Sequence, residues 1–218
     1  MSKSTLTFTQ QPAPQERVVN LWALLWGAVW ALLIVVLIAR IFWLQQVSVV
    51  GMSMEPNYST NQLLAVDQLF NDYRRGQVVA VYDNIETARG ANYFTRFQPD
   101  VRFLLKRIIG LPGEAIEIRG AEVIIYNDKY PDGAILEEEY VDEQVKATLA
   151  LRNRTLERTE IPSGEYFVMG DNRTNSTDSR EKGTFPEFAI LGFERFRFYP
   201  LSTAHWFDLP EYRFTPLN

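Results

Sequence analysis

The stretch VRFLLKRIIGLPGEAIEIRGAEVIIYND, residues 101–128, contains three consecutive runs with the length and chemistry of β-strands. Each run is rich in Val, Ile, Phe or Leu and is bounded by Gly, Pro, Asn or Asp, which is typical of strands separated by turns. The same pattern recurs in QVVAVYD (77–83), GEYFVMGD (164–171) and RFRFYPL (195–201). The sequence after residue 45 therefore predicts a mainly β domain.

Two segments of this domain do not follow the strand pattern. Residues 84–100 (NIETARGANYFTRFQPD) resemble a loop insertion, and residues 134–158 are highly charged, with stretches that favour helix. The acidic run that includes Glu137, Glu138 and Glu139 is typical of a solvated face.

The N-terminal part of the chain contains a long apolar segment. Residues 21–39 (LWALLWGAVWALLIVVLIA) include no charged or strongly polar side chain, and a transmembrane helix needs about 20 such residues. A removable signal peptide would have an apolar core of roughly 7 to 15 residues and a small-residue cleavage site, neither of which this segment shows. We therefore expect a membrane anchor, with residues 18–44 as the helix and its flank.

The orientation of this anchor is indicated by a small charge difference. Lys3 and Arg17 precede the segment and Arg40 follows it, and the side with more Lys and Arg tends to stay in the cytoplasm. We expect a single-pass protein of the cell membrane, with a polar cytoplasmic tail at residues 1–17 and the domain at residues 45–218 outside.

Composition excludes several classes of function. A net charge of −5 and the lack of a Lys or Arg cluster argue against a nucleic-acid partner. Without cysteine there is no disulfide, thiolate nucleophile or thiolate metal site, and the single histidine, His205, rules out a histidine-rich metal centre. We expect no metal and no other cofactor.

Ser53, in VSVVGMSMEPNY (47–58), is a candidate nucleophile that would need a base. His205 is one option, but its aromatic, proline-containing surroundings are more typical of a structural histidine. The other option is a lysine held neutral, because an apolar setting disfavours the ammonium form and lowers the pKa.

Lys106 is the lysine whose surroundings fit that role. It lies in FLLKRIIGLPG, where strand alternation places Leu104, Lys106 and Ile108 on one face and turns Arg107 to the other. The alternative is an edge lysine whose charged end reaches solvent.

A third polar segment, GDNRTNSTDSR (170–180), follows the apolar run GEYFVM. Its side chains suit a tight turn, in which Asp178 could pair with Arg180 and Asp171 with Arg173. A neutral lysine also needs a group that orients its nitrogen, and a hydroxyl does so without raising the lysine pKa. Ser176 and Ser179 are the candidates.

The segments SMEP (53–56), KRIIGLPGE (106–114) and GDNRTNSTDSR, in this order behind an apolar helix, resemble the type I signal peptidases. These are membrane-bound serine proteases that remove signal peptides from exported proteins. The resemblance covers residues 18 to about 200. It implies an antiparallel β catalytic domain with a smaller β-rich insertion at residues 113–163. It also implies signal peptides and the lipid bilayer as partners, with no obligate partner subunit.

The resemblance also implies roles for single residues. Ser53 would be the nucleophile, Lys106 its general base and Ser176 the group that orients the lysine. Residues that would support the site are Asp178, Arg180, Asp171 and Ser179. Residues at the positions of shallow pockets for small side chains, at −1 and −3 of the cleavage site, are Val47, Val49, Met54, Leu104 and Leu105.

One departure from the family pattern concerns the oxyanion. In some members, a serine two residues before the nucleophile has a hydroxyl that helps to stabilise the oxyanion. This chain has Gly51 at that position. We expect the Ser53 main-chain N–H to be the principal donor.

Two other functions are alternatives to a signal peptidase. One is a self-cleaving serine–lysine repressor, which would need a DNA-binding module, and the other is a catalytically silent anchored β domain that binds peptides.

Overall fold

The structure is a computed structural model that describes residues 20–42, 44–69, 72–92, 94–95, 98–152 and 155–217. The predicted tail at residues 1–17 lies outside the described residues. The chain divides into two units, Met1–Ile38 and Ala39–Asn218.

Helix α1 (Leu21–Phe42) contains the apolar segment. In the described part of the chain it is the one helix long and apolar enough to cross a membrane, over Leu21–Ile38. The large side chains from Leu21 to Ile38 are exposed, with Trp22 at 72% and Leu32 at 63%. A continuous exposed apolar surface of this length suits a hydrocarbon environment rather than water, which agrees with membrane anchoring.

The strands, in chain order, are β1 (Leu44–Ser48), β2 (Leu63–Asp67), β3 (Val78–Tyr82), β4 (Phe103–Gly110), β5 (Ala115–Arg119), β6 (Glu122–Asn127), β7 (Tyr130–Glu137), β8 (Thr155–Glu160), β9 (Glu165–Met169), β10 (Phe185–Pro186), β11 (Ile190–Tyr199), β12 (His205–Trp206) and β13 (Arg213–Pro216). The other helices are α2 (Ile85–Arg89), α3 (Glu143–Arg152) and α4 (Ser179–Lys182), and short 3-10 helices occupy Glu187–Ala189 and Leu201–Thr203.

The described strands form two antiparallel sheets. The larger has the order β1-β2-β11-β3-β4-β9-β10, with β12 added beside β11. The smaller has the order β13-β7-β6-β5-β8, and all its strands except β13 lie within residues 113–163. The prediction of a mainly β, antiparallel fold with one N-terminal apolar helix is confirmed.

The six predicted strand runs all contain strand, as β3, β4, β5, β6, β9 and the second half of β11. The segment at 84–100 was predicted as a loop but includes α2, which Asn84 caps by accepting hydrogen bonds from the N–H groups of Glu86 and Thr87. The charged segment at 134–158 contains α3, as predicted, but its two ends belong to β7 and β8.

A buried apolar cluster lies beneath the residues that follow β1. We call it the Ser53 cluster, and its buried members are Val49, Met54, Tyr58, Leu64, Val78 and Leu105. It joins the chain around Ser53 to β2, β3 and β4. The interior of the larger sheet therefore supports both chain segments that carry the predicted dyad.

Candidate active site

Ser53 lies in a tight turn directly after β1, which we call the Ser53 turn (residues 51–58). The Tyr58 N–H donates to the Met54 carbonyl at 2.9 Å, and the Glu55 N–H donates to the Met52 carbonyl at 3.2 Å. Gly51 begins the turn with φ of +91° and with open space where a Cβ would lie. Because L side chains are disfavoured at this φ, backbone conformation explains the glycine at this position.

Lys106 lies in the middle of β4, paired in register with Val79 of β3. Its side chain is 2% exposed, so the alternative of an edge lysine reaching solvent is wrong. The Nζ atom lies 2.9 Å from Ser53 Oγ and donates a hydrogen bond of 2.8 Å to the Leu105 carbonyl. The structure thus brings together the two residues that the sequence singled out as nucleophile and base.

Burial controls the charge of this lysine. It lowers the pKa of Lys106 to about 8, against the opposing effect of the Asp178 and Asp171 carboxylates, which favour the ammonium form. At mildly alkaline pH a large fraction of the amine is therefore neutral and able to accept a proton.

The 170–180 loop holds the Ser53 turn from the other side. The Asn172 N–H donates to the Ser53 carbonyl at 3.0 Å, and its side-chain amide donates to the Met52 carbonyl at 3.1 Å. A Cβ on Gly170 would lie 2.3 Å from Ser176 Oγ and 2.4 Å from the Ser53 carbonyl oxygen. Glycine is therefore required for this close approach.

Asp178 organises the loop from a fully buried position. Its carboxylate accepts hydrogen bonds from the Gly170 N–H at 2.9 Å and from Arg180 Nε and Nη2 at 2.9 and 2.8 Å. Burial by itself would raise the pKa of Asp178, but the bonds from Arg180 and Gly170 outweigh it, so the pKa is lowered. The predicted pair of Asp178 and Arg180 is confirmed.

The two serines of the loop have different surroundings. Ser179 Oγ accepts a 2.9 Å hydrogen bond from the Val168 N–H and so ties α4 to β9. Ser176 Oγ is buried and makes no hydrogen bond to any described residue. It lies near enough to Asp178 to help lower the pKa of that carboxyl, although the contact falls outside hydrogen-bond geometry. The orientation of Lys106 by Ser176 stays a prediction.

The predicted pair of Asp171 and Arg173 is wrong. Asp171 instead accepts two hydrogen bonds from Arg107, at 2.8 Å from Nε and 2.6 Å from Nη2. Arg173 pairs with Glu138, whose Oε1 lies 2.6 Å from its Nη2. The cause is tertiary: each arginine is almost fully buried and needs a carboxylate that reaches it across the fold. Glu138 is consequently buried rather than part of a solvated face.

Comparisons with known proteins give the family of this chain. The family model described as signal peptidase, peptidase S26, matches residues 21–199, a range that includes Ser53, Lys106 and the whole 170–180 loop. The probable signal peptidase I-1 of Synechocystis sp. (strain ATCC 27184 / PCC 6803 / Kazusa) is 31% identical over 84% of this chain and 85% of that protein. Signal peptidase I U of Bacillus subtilis (strain 168) is 34% identical over 69% of this chain and 73% of that protein.

The chain belongs to the signal peptidase family. The resemblance drawn from the three motif segments is therefore confirmed. Signal peptidase I P of Bacillus subtilis subsp. natto, at 32% identity over 78% of this chain and 84% of that protein, gives the same assignment.

The site also contains a buried polar pair that the sequence did not reveal. Tyr58, in the Ser53 turn, donates a hydrogen bond to Oε2 of Glu194 on β11, and both residues are buried. Oε1 of Glu194 has no partner among the described residues. Burial raises the pKa of both groups. A glutamate within the aromatic run FERFRF was the available signal, but its partner depends on the tertiary fold.

Asn57 is a second site residue that sequence reasoning missed. Its side-chain amide donates to Asp171 Oδ2 and to the Tyr140 carbonyl, each at 2.9 Å. The Arg197 guanidinium donates to the Asn57 carbonyl at 2.9 Å and also lies 2.9 Å from a ring nitrogen of the exposed His205. His205 therefore contacts an arginine that supports the turn, in keeping with a structural histidine.

An open groove of about 690 Å³ lies between β1 and the beginning of β4, and we call it the β1–β4 groove. Of the predicted pocket residues, Val47 and Leu104 line it. The other three, Val49, Met54 and Leu105, are buried in the Ser53 cluster and do not line the groove. Strand alternation turns Leu105 away from the face that carries Leu104. The part of each residue in substrate binding stays a prediction.

Proposed function

We propose that this member of the signal peptidase family is a type I signal peptidase, in which Ser53 and Lys106 form the catalytic dyad. The observation that carries the proposal is the 2.9 Å separation of Lys106 Nζ and Ser53 Oγ, with the lysine 2% exposed. Burial supplies the neutral base that a serine nucleophile needs when no imidazole is beside it.

The reaction begins when neutral Lys106 accepts the proton of Ser53 Oγ as that oxygen attacks the scissile carbonyl carbon. The tetrahedral intermediate collapses with cleavage of the C–N bond, and the leaving amine takes the proton from Lys106. An ester between Ser53 and the signal peptide remains. Lys106 then accepts a proton from a water molecule as the water oxygen attacks the ester carbonyl carbon. When the bond from that carbon to Ser53 Oγ breaks, Lys106 gives the proton to Oγ, which releases the signal peptide and restores the neutral lysine.

The developing oxyanion needs hydrogen-bond donors. The Ser53 main-chain N–H makes no hydrogen bond to any residue that the structure describes, so it is available to the intermediate. Gly51, with its left-handed φ, supplies no hydroxyl. The Ser53 N–H is therefore the principal donor in this proposal.

Ser176 is the proposed orienting group for Lys106. Its buried hydroxyl makes no hydrogen bond to any described residue, and it lies next to Gly170, whose α-carbon is also close to the Ser53 carbonyl oxygen. A buried hydroxyl without a partner is costly, and a hydrogen bond to the lysine amine during the reaction would satisfy it. Asp178, Arg180, Asp171 and Ser179 support the loop that carries it.

The substrate in this proposal is an extended signal peptide with small residues at −1 and −3. Within the described residues, β1 is an edge strand, and β9 pairs with β4 only from Arg107 onward, which leaves the preceding residues of β4 without a strand on that side. An extended peptide can add to such edges by main-chain hydrogen bonds while its alternate side chains enter pockets.

The membrane anchor has a mechanistic reason in this proposal. Signal peptides are themselves membrane-embedded, so tethering the enzyme to the same bilayer raises the effective concentration of the two partners. We assign a cytoplasmic tail to residues 1–17, the anchor and its flank to 18–44, and the extracytoplasmic catalytic domain, with its insertion at 113–163, to 45–218.

The deciding experiment is cleavage of a purified precursor by the full-length protein in detergent. The wild type is expected to release the signal peptide, whereas Ser53→Ala and Lys106→Met should each lose almost all activity while keeping the circular dichroism spectrum of the wild type. Robust cleavage by folded Ser53→Ala would contradict the proposal. Protease accessibility of the C-terminal domain in sealed vesicles tests the orientation.

A further inference from the structure

The β1–β4 groove contains charged side chains at the end remote from Ser53. Arg102 and Asp83 both line it, and the Asp83 N–H donates to the Arg102 carbonyl at 3.0 Å, which makes them cross-strand neighbours. The Asp83 carboxylate pairs with Lys182. Arg102 is exposed, and no carboxylate of the described residues lies within ion-pair distance of it. Arg102 is thus a charged lining residue of the groove that has no carboxylate partner among the described residues.

Arg102 also lies on the same strand face as Lys106, further towards the N-terminus of the strand. Strand alternation places Arg102, Leu104 and Lys106 on the same face, and Leu104 lines the same groove. At a rise of about 3.3 Å per residue, Arg102 lies about 13 Å along the strand from Lys106. An extended peptide whose scissile bond is at Ser53 therefore places a residue about four to six positions away beside Arg102.

The direction of the peptide follows from the groove and the substrate class. The groove leads from the Ser53 turn back along β1 towards Leu44, which in sequence is two residues after the end of the apolar helix α1. The part of the substrate that must reach lipid is the signal peptide, on the N-terminal side of the scissile bond. The residues beside Arg102 therefore precede the cleavage site.

We propose that Arg102 is a specificity-determining residue that selects substrates by the charge of the side chain about four to six positions before the cleavage site. This inference rests on the proposed signal peptidase function. An acidic side chain at this position would be attracted by the Arg102 guanidinium. A basic side chain would be repelled by Arg102, and the Asp83 carboxylate would not offset this repulsion because it already pairs with Lys182.

The test uses precursors that differ only at position −5, where they carry Glu, Gln or Lys, with matching sets at −4 and −6. The wild type should show the highest kcat/KM for Glu and the lowest for Lys, with an overall ratio of about five-fold at low salt. The Arg102→Glu variant should reverse this order, and Arg102→Gln should flatten it. About 0.5 M salt should reduce the ratio, because exposed charges are screened.

The matched control is Arg152→Glu, which makes the same charge change at an exposed arginine of α3. It should keep the wild-type order. If the wild type cleaves none of the precursors, the proposed function fails. Equal cleavage of the Glu, Gln and Lys precursors at all three positions overturns this inference alone. An equal loss on every precursor in Arg102→Glu also overturns it and points to a contact with lipid headgroups instead.

Discussion

The main-chain N–H of Asn172 donates a 3.0 Å hydrogen bond to the carbonyl oxygen of Ser53. Together with the bond from the Asn172 side chain to Met52, it fixes the Ser53 turn against the 170–180 loop. That loop also carries Asp178, which is fully buried and accepts the Gly170 N–H. The position of Ser53 Oγ therefore depends on how closely two distant chain segments approach.

Gly170→Ala is expected to impair both cleavage and stability. The added Cβ would lie 2.4 Å from the Ser53 carbonyl oxygen, a main-chain atom that cannot rotate aside. A displacement of about 1 Å at the nucleophile costs roughly 100-fold in rate, while overpacking costs about 1–3 kcal/mol of unfolding free energy. Steady-state cleavage and urea denaturation measure the two effects.

The control for this variant is Gly90→Ala. A Cβ there has its nearest neighbour, the Glu86 carbonyl oxygen, at 3.8 Å, so both activity and stability should stay close to wild type. A Gly170→Ala protein with wild-type kcat/KM would show that the tight contact does not position Ser53.

Cleavage should depend on pH through Lys106. Burial lowers the pKa of this lysine to about 8, and the neutral amine is the form that accepts the Ser53 proton. We expect kcat/KM to rise with pH up to about 8 and then level off. A profile from pH 6 to 10 measures it, and an apparent pKa near the ordinary lysine value of 10.5 would contradict the assignment.

The same lysine should make stability depend on pH. Between pH 8 and 10.5 the unfolded state keeps a proton that folded Lys106 has released, so the free energy of unfolding should rise with pH, by up to about 3 kcal/mol. Urea denaturation of wild type and Lys106→Met across this range isolates the effect, since the variant lacks the titrating group. Parallel pH profiles for the two proteins would refute it.

The sequence predicted those strands whose side chains enter the core. The Val and Ile side chains of β3, β5 and β6 are buried, and these strands show a clear apolar pattern. Strands β8 and β13 form the two edges of the smaller sheet and bury few side chains, so TLERTE and RFTP lack that pattern. An edge strand is determined by its neighbour more than by its own residues.

The candidate site was predictable only where chemistry restricts the residue type. A serine nucleophile without an adjacent imidazole needs a buried lysine, and Lys106 lies in the most apolar lysine context of the chain. The supporting ion pairs were not predictable from the sequence. The closeness of Asp171 and Arg173 along the chain suggested that these two residues pair. The fold instead brings Arg107 to Asp171 from β4, a choice that only tertiary packing determines.

Asp171→Ala should be strongly destabilising. It removes the carboxylate that accepts two hydrogen bonds from Arg107, whose side chain is 5% exposed. An uncompensated buried charge costs about 3–5 kcal/mol. The control is Asp72→Ala, which breaks an exposed pair with Arg74 and should change the unfolding free energy by less than about 1 kcal/mol. Urea denaturation compares them, and equal losses would show that the buried pair contributes no more than the exposed one.

Tyr58→Phe should reveal how much the buried pair with Glu194 stabilises the fold beneath Ser53. The change removes the hydroxyl that donates to Glu194 Oε2 and leaves a carboxyl group whose other oxygen already lacks a partner in the described residues. Losing one partner of a buried hydrogen bond costs about 1–3 kcal/mol. In a Glu194→Gln background the same change should cost less, because a neutral amide is cheaper to leave unpaired than a carboxylate. A double-mutant cycle by urea denaturation measures the difference, and identical costs in the two backgrounds would mean that the tyrosine stabilises the Ser53 cluster by packing alone.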